Sequence, residues 1–360
     1  MSTASPYIPQ FPLLGRGRAR RYGTALLAAM ALIIAAIAFI DYAVDPFQQY
    51  RRPAWYEPHY YRTLQRFINP GIAKRYDYDT VITGSSMMEN FSNAEAGAIL
   101  HGKVVNLAMG AMTAYELHEL LATIIAGDRA RHIVVDLNFN AFAGSPAMQV
   151  VTDPLPLYLY DSKWWNDGRY LLQAQTLARS AEILLGWRRG RFATDPDKPW
   201  YWADEYEFSG KATMRGLDPA NINRDFKQGP RTLEGMRASF DANLLPMLRD
   251  HPQLRFSLVY PPYSALVWTD FAQRDQVEVS LAFKRYVFDA VKSLPNVALY
   301  DFQPRREWVT NLDNYKDIYH FSPAISRAML EAIAQGSDRV DVDSIGGSEA
   351  VLRSLSQSTH

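Results

Sequence analysis

The chain contains no cysteine. Disulfide frameworks, thiolate nucleophiles and cysteine-ligated metal sites are therefore excluded. The same absence fits a bacterial extracytoplasmic setting. Neither sign of charge is in excess, since 38 Lys and Arg residues balance 38 Asp and Glu residues. That balance removes the electrostatic case for nucleic acid as a general partner. Walker-type phosphate loops, dinucleotide fingerprints and internal repeats are also missing. His59, His101, His118, His132, His251 and His360 form no His-Glu-x-x-His spacing. No metal or cofactor is therefore expected.

What is present begins with a long apolar run. Thr24 to Ile40 carries no charge, and with its neighbours it approaches the roughly 20 residues that cross a bilayer. Arg16, Arg18, Arg20 and Arg21 precede it, and Asp41 follows it. The positive-inside rule then expects residues 1–23 in the cytoplasm, a transmembrane anchor over 24–44, and the rest outside. A cleaved signal peptide is the competing reading, since Ala36-Ile37-Ala38 resembles a small-x-small cleavage site. The length of the run favours the uncleaved anchor.

Residues 45–78 are rich in proline and aromatics and read as a connector packed on the outer domain. From Asp79 the pattern alternates. Strands are expected at Thr80–Thr83, Lys103–Leu107, His132–Leu137, Leu254–Tyr260 and Val297–Tyr300, where β-branched and aliphatic residues concentrate. Helices are expected at Ala94–Leu100, Ala114–Ile125, Leu233–Leu248 and Val279–Leu294. Such alternation predicts an α/β domain over 79–335: a mostly parallel five-stranded sheet covered on both faces, with its active edge at the strand carboxyl ends. Residues 143–231 interrupt the alternation with a helical run near Trp165–Gly186 and an aromatic loop around Trp200–Phe208. They read either as a lid over that edge or as a packing subdomain. The stretch after Gln335 is polar and reads as a partly disordered tail.

The chemistry concentrates at two loops. Gly84-Ser85-Ser86 directly follows the first strand, where an α/β sheet presents a nucleophile to the backbone N–H groups of the next turn. A serine hydroxyl needs a base to take its proton. Asp317-Ile318-Tyr319-His320 supplies an imidazole and an acid to orient it, and Ser322-Pro323 then opens a probable helix. An acyl transfer also needs donors for an oxyanion. Gly110, in the segment after the second strand, can offer a backbone N–H or simply make a turn. Asn138 or Asn140, after the third strand, can offer a side-chain N–H or equally serve the turn itself.

These blocks, in this order, resemble the SGNH/GDSL hydrolase superfamily. The resemblance spans roughly residues 79–335 and implies a flavodoxin-like three-layer α/β/α fold. It implies Ser86 as nucleophile, His320 as base and Asp317 as its partner. The oxyanion hole it implies consists of the Ser86 N–H, Gly110 and Asn138, with Asn140 as the alternative. Two departures stand out: Ser85 replaces the aspartate of the GDS motif, and the third block lacks Gly-x-Asn-Asp. Tyr78–Ser86, Val259–Ser264 and Leu312–Ser322, together with the anchor, look most like the membrane-anchored branch that includes alginate acetylation and teichoic acid D-alanylation proteins. That branch implies a serine esterase or O-acyltransferase at the bacterial inner membrane, with a periplasmic catalytic domain. Its implied substrate is an envelope or exported polysaccharide, and its implied partner a multi-spanning membrane acyltransferase. The rival is a non-catalytic glycan-binding or scaffold homologue, which the 46 aromatic residues could serve.

Overall fold

The computed structural model describes residues 16–150, 152, 154–187, 191–218, 222 and 231–357. Helix α1 (Arg16–Val44) is long and apolar enough to cross a membrane, by length and composition. At about 1.5 Å per residue it is roughly 40 Å long. Its last turn is buried against the domain, and the joint is built around Asp45. This residue takes a left-handed backbone (φ +53°). Its carboxylate accepts the N–H groups of Gln49 (2.8 Å), Tyr50 (2.8 Å) and Arg51 (2.9 Å) and the hydroxyl of Tyr170 (2.8 Å). The Tyr56 hydroxyl bonds the Asp45 carbonyl. The connector is thus packed and not a loose tether. Within it α2 (Gln65–Arg75) lays Ile68 and Ile72 into the core.

Five strands follow: β1 (Thr80–Thr83), β2 (Val104–Asn106), β3 (His132–Asp136), β4 (Arg255–Tyr260) and β5 (Val297–Asp301). They pair entirely in parallel, in the order β2-β1-β3-β4-β5. Almost every residue in them is buried, which explains why they read as continuous apolar runs. The order is that of a doubly wound sheet whose direction of winding reverses between β1 and β3. At that reversal the connections leave to opposite sides and open a crevice at the strand carboxyl ends.

Between β1 and β2 lies α3 (Asn93–Leu100), and between β2 and β3 lies α4 (Ala114–Ala126), started by a capping box of Thr113 and Glu116. The segment from β3 to β4 carries α5 (Gly168–Leu171), α6 (Ala174–Leu184), α7 (Gly210–Thr213), α8 (Leu233–Asn243) and α9 (Leu245–Asp250). α10 (Ala265–Gln273) and α11 (Val277–Val291) join β4 to β5, and α12 (Arg306–Val309), α13 (Pro323–Gln335) and α14 (Ser344–Gln357) complete the chain. α3 packs on α13, whereas α4, α8 and α11 pack in a row. These two groups are compatible with covers on opposite faces of the sheet.

Three expectations need correction. Leu233–Leu248 is not one helix: Pro246 lacks an N–H to continue it, and the chain restarts as α9 after Leu244. The helical run in the insertion is likewise broken at Leu172 between α5 and α6. Within the stretch after Gln335, expected to be a partly disordered tail, residues 344–357 form a packed helix. Ile345, Leu352 and Leu355 of α14 are buried, α14 packs on α10, and Arg353 forms a bidentate pair with Glu278.

Candidate active site

The site stands at the winding reversal. β1 ends at Thr83, and Gly84 turns the chain with φ +141°. Only glycine fits there, because a Cβ would collide with the Asp136 carboxylate at the end of β3. Ser85 caps the next turn, and Ser86 opens it. As the first residue of the turn, Ser86 leaves its N–H outside the turn's own hydrogen bonds.

Ser86 and His320 are 234 residues apart in sequence, yet Ser86 Oγ lies 2.9 Å from His320 Nε2. On the other side of the ring, His320 Nδ1 is 2.9 and 2.8 Å from the two oxygens of Asp317. An ionised carboxylate only accepts, so Nδ1 carries the hydrogen and Nε2 faces the serine as acceptor. Asp317 is itself fixed by the backbone N–H groups of Tyr319 (2.9 Å) and His320 (2.8 Å). Burial pushes its carboxyl up. The hydrogen bonds and charge of His320, with the charge of Lys316, outweigh this and hold it well below the usual carboxylate range. Lys316 Nζ lies 3.0 Å from Asp317, above the rings of Tyr206 (4.3 Å) and Trp202 (4.6 Å). Trp202 also meets the His320 ring edge-on, with centroids 5.4 Å apart. The insertion thus contributes packing and one ring contact to the site. Trp200 and Trp202 pack into the domain, and Trp202 also touches the site.

Beneath the nucleophile lies a second carboxylate. Asp136 is fully enclosed and accepts the Ser85 hydroxyl (2.6 Å) and the Ser85 N–H (3.1 Å). Burial drives its carboxyl up to about 6, partly offset by these two bonds. Asp136 at the end of β3 thus holds Ser85 in the turn that carries Ser86.

The donors expected for an oxyanion are rearranged. Gly110 does not aim its N–H at the site. That N–H donates to Gln65 Oε1 (2.8 Å), and Gln65 Nε2 donates to the buried Glu89 (2.7 Å). Asn138 lines the pocket and is held in place, with Nδ2 using one of its two hydrogens on Ser85 Oγ (3.0 Å) and Oδ1 accepting the Asn140 N–H (3.0 Å) and the Tyr263 hydroxyl (3.3 Å). Asn140 is differently placed. Its Oδ1 accepts from Arg231 Nη1 (3.2 Å), whose guanidinium is stacked 4.1 Å over Phe271. A guanidinium can only donate, so the amide oxygen must face it and Nδ2 must face away.

Ser86 and His320 border a pocket of about 340 Å³, which Asn138, Asn140, Ala111, Met112, Met148 and Val150 also line. Ala111 stands where Gly110 was expected, with a left-handed backbone at φ +53°. Cavities of about 650 and 750 Å³ open elsewhere, and neither includes the serine or the histidine. Among the described residues no group of three His, Asp or Glu side chains gathers to hold a metal ion. Asp136, Lys316, Gln65 and Arg231 escaped the reading of the sequence as site residues. A buried acid two residues before Asn138 was the one available signal for the first.

A scan of models of known protein families finds none that matches this chain, and a search of curated proteins finds no match either.

Proposed function

We propose that this chain is an SGNH-like serine O-acyltransferase or esterase working through an acyl-serine intermediate. The observation that carries the reading is the relay from Ser86 through His320 to Asp317, closed in both of its hydrogen bonds. Ser86 Oγ attacks the ester carbonyl carbon while His320 Nε2 takes its proton. Asp317 holds the imidazolium that results. As the tetrahedral adduct collapses, His320 returns the proton to the departing alcohol and the acyl group stays on Ser86. A second hydroxyl then repeats the sequence in reverse. Water as that acceptor makes the protein an esterase, and a sugar hydroxyl makes it a transferase.

The oxyanion of each adduct would be met by the Ser86 N–H and by Asn140 Nδ2, turned toward the pocket by Arg231. The pocket is of a size suited to a short acyl group with part of an acceptor. A closed relay at 2.9 Å argues against the non-catalytic alternative, which predicts a serine beyond reach of the histidine. The arginines in the first two turns of α1 and the apolar span that follows support an inner-membrane anchor with a periplasmic domain. That setting favours an envelope or exported polysaccharide as acceptor and a multi-spanning acyltransferase as supplier of acyl groups.

The test compares wild type with Ser86→Ala on p-nitrophenyl acetate, with and without an acceptor oligosaccharide. Wild type should release nitrophenol, and the variant should fall to the background rate. Equal rates would sink the assignment. Acetylated oligosaccharide formed by wild type alone would select the transferase.

A further inference from the structure

α6 buries polar side chains and leaves apolar ones uncovered toward its end. Its buried side chains are Thr176, Ser180 and Glu182, all polar. Glu182 is satisfied inward by the Tyr61 hydroxyl (2.9 Å) and Arg179 (2.6 Å). Outward it shows Ala178 and Leu184, followed by Leu185, and the two leucines are 53 and 55% exposed. In water each leucine left exposed forgoes the benefit of burial. Gly186 then ends the helix in a left-handed turn, and the exposed Trp187 bonds back to the Glu182 carbonyl (2.8 Å).

The position of this face identifies its environment. α1 packs on α5 and α6. Tyr170, just before α6, bonds Asp45 beyond the end of α1 (2.8 Å), while Ser180 lies against Asp41. The two helices therefore run antiparallel, and α6 climbs toward the apolar span as it proceeds. Asp41 marks the edge of that span, so Leu184 and Leu185 lie about one turn, ~6 Å, inside it. They are level with Ile37 of α1.

We propose that α6 is an interfacial membrane helix whose Leu184–Leu185 end enters the outer headgroup–acyl boundary beside α1, its ligand being the lipid surface itself. Tryptophan at the end of such a helix fits the preference of indole for that boundary. The proposal rests on α1 spanning the bilayer and is independent of the catalytic reading.

The absence of native cysteine makes the test direct. Single-cysteine variants Leu184→Cys, Leu185→Cys, Ile33→Cys and Ala238→Cys of the full chain are labelled with a polarity-sensitive fluorophore. They are reconstituted in phosphatidylethanolamine/phosphatidylglycerol vesicles containing lipids doxyl-labelled at carbon 5 or carbon 12. Ile33 should be quenched best by the deep label, and Ala238, exposed on α8, by neither. Labels at 184 and 185 should emit at shorter wavelength than at 238 and be quenched severalfold more strongly by the shallow label. If Ile33 is quenched while 184 and 185 behave like 238, the proposal is overturned, including the case in which another membrane protein covers this face in the cell. If Ile33 itself is unquenched, the anchor reading falls and the proposal falls with it.

Discussion

Two aspartates flank the nucleophile turn, and their surroundings push them in opposite directions. Asp317 faces a half-open site, has a histidine and a lysine for company, and is held well below the usual carboxylate range. Asp136 is sealed at the end of β3, has only the neutral donors of Ser85, and is driven up to about 6. The difference lies in the partners: Asp317 collects the His320 hydrogen bonds and a neighbouring lysine, whereas Asp136 has Ser85 alone against its burial. At Asp317 the His320 hydrogen bonds, with neighbouring charge, outweigh desolvation; at Asp136 the two Ser85 hydrogen bonds do not. One acid holds the histidine that faces Ser86, and the other holds the turn that carries Ser86.

The comparison can be broken first at Asp317. Asp317→Asn should lower kcat/KM by on the order of 10⁴, because an amide cannot hold the histidine in the required tautomer. A loss below tenfold, measured on the same acetyl ester, would mean that Asp317 does not orient the base.

Asp136 should respond in stability and in the opposite pH sense. Its pKa is raised on folding, so its favourable contribution is complete below about 4 and is lost as pH rises through about 6. The two-unit rise corresponds to about 3 kcal/mol lost across that window. Asp136→Asn removes this titration. Unfolding free energies of wild type and variant in detergent should therefore diverge between pH 4 and 7, the variant gaining relative to wild type as pH rises. Parallel curves would show that the buried acid does not titrate there.

The smallest effect is expected at Lys316. Lys316→Met removes a cation 3.0 Å from Asp317 and lets its carboxyl rise toward the ordinary value. The acidic edge of the kcat/KM profile reports protonation of the histidine base, and losing a cation beside the relay should move that edge up in pH, with a loss of about twofold to fivefold at pH 7, since a partly exposed pair is worth little. Lys316→Arg should keep the edge in place. An unmoved edge in Lys316→Met would confine the lysine to packing on Trp202 and Tyr206.

The strands were legible because buried parallel strands are continuous aliphatic runs, and the relay because Gly84-x-Ser86 and Asp317-x-x-His320 each sit at an element boundary. The remaining features depended on contacts distant in sequence. Whether Gly110 has an N–H to offer is decided by Gln65, 45 residues away, and whether Asn140 turns its amide outward is decided by Arg231, 91 residues away. The helix α14 was obscured because average polarity conceals a stripe of Ile345, Leu352 and Leu355. The orientation of α6 was hidden for another reason: periodicity shows that a helix has two faces and does not say which one turns inward.

The knot at Asp45 has a mechanical consequence. A swivelling linker would let the domain sweep a hemisphere above the lipid and meet substrates at any height. Four hydrogen bonds on one carboxylate, with the Tyr56 hydroxyl on the same residue's carbonyl, make the joint a weld. If α1 spans a bilayer, the mouth of the pocket beside Ser86 is thereby held at one altitude and one bearing, set by the length of α1 and the tilt of its last turn.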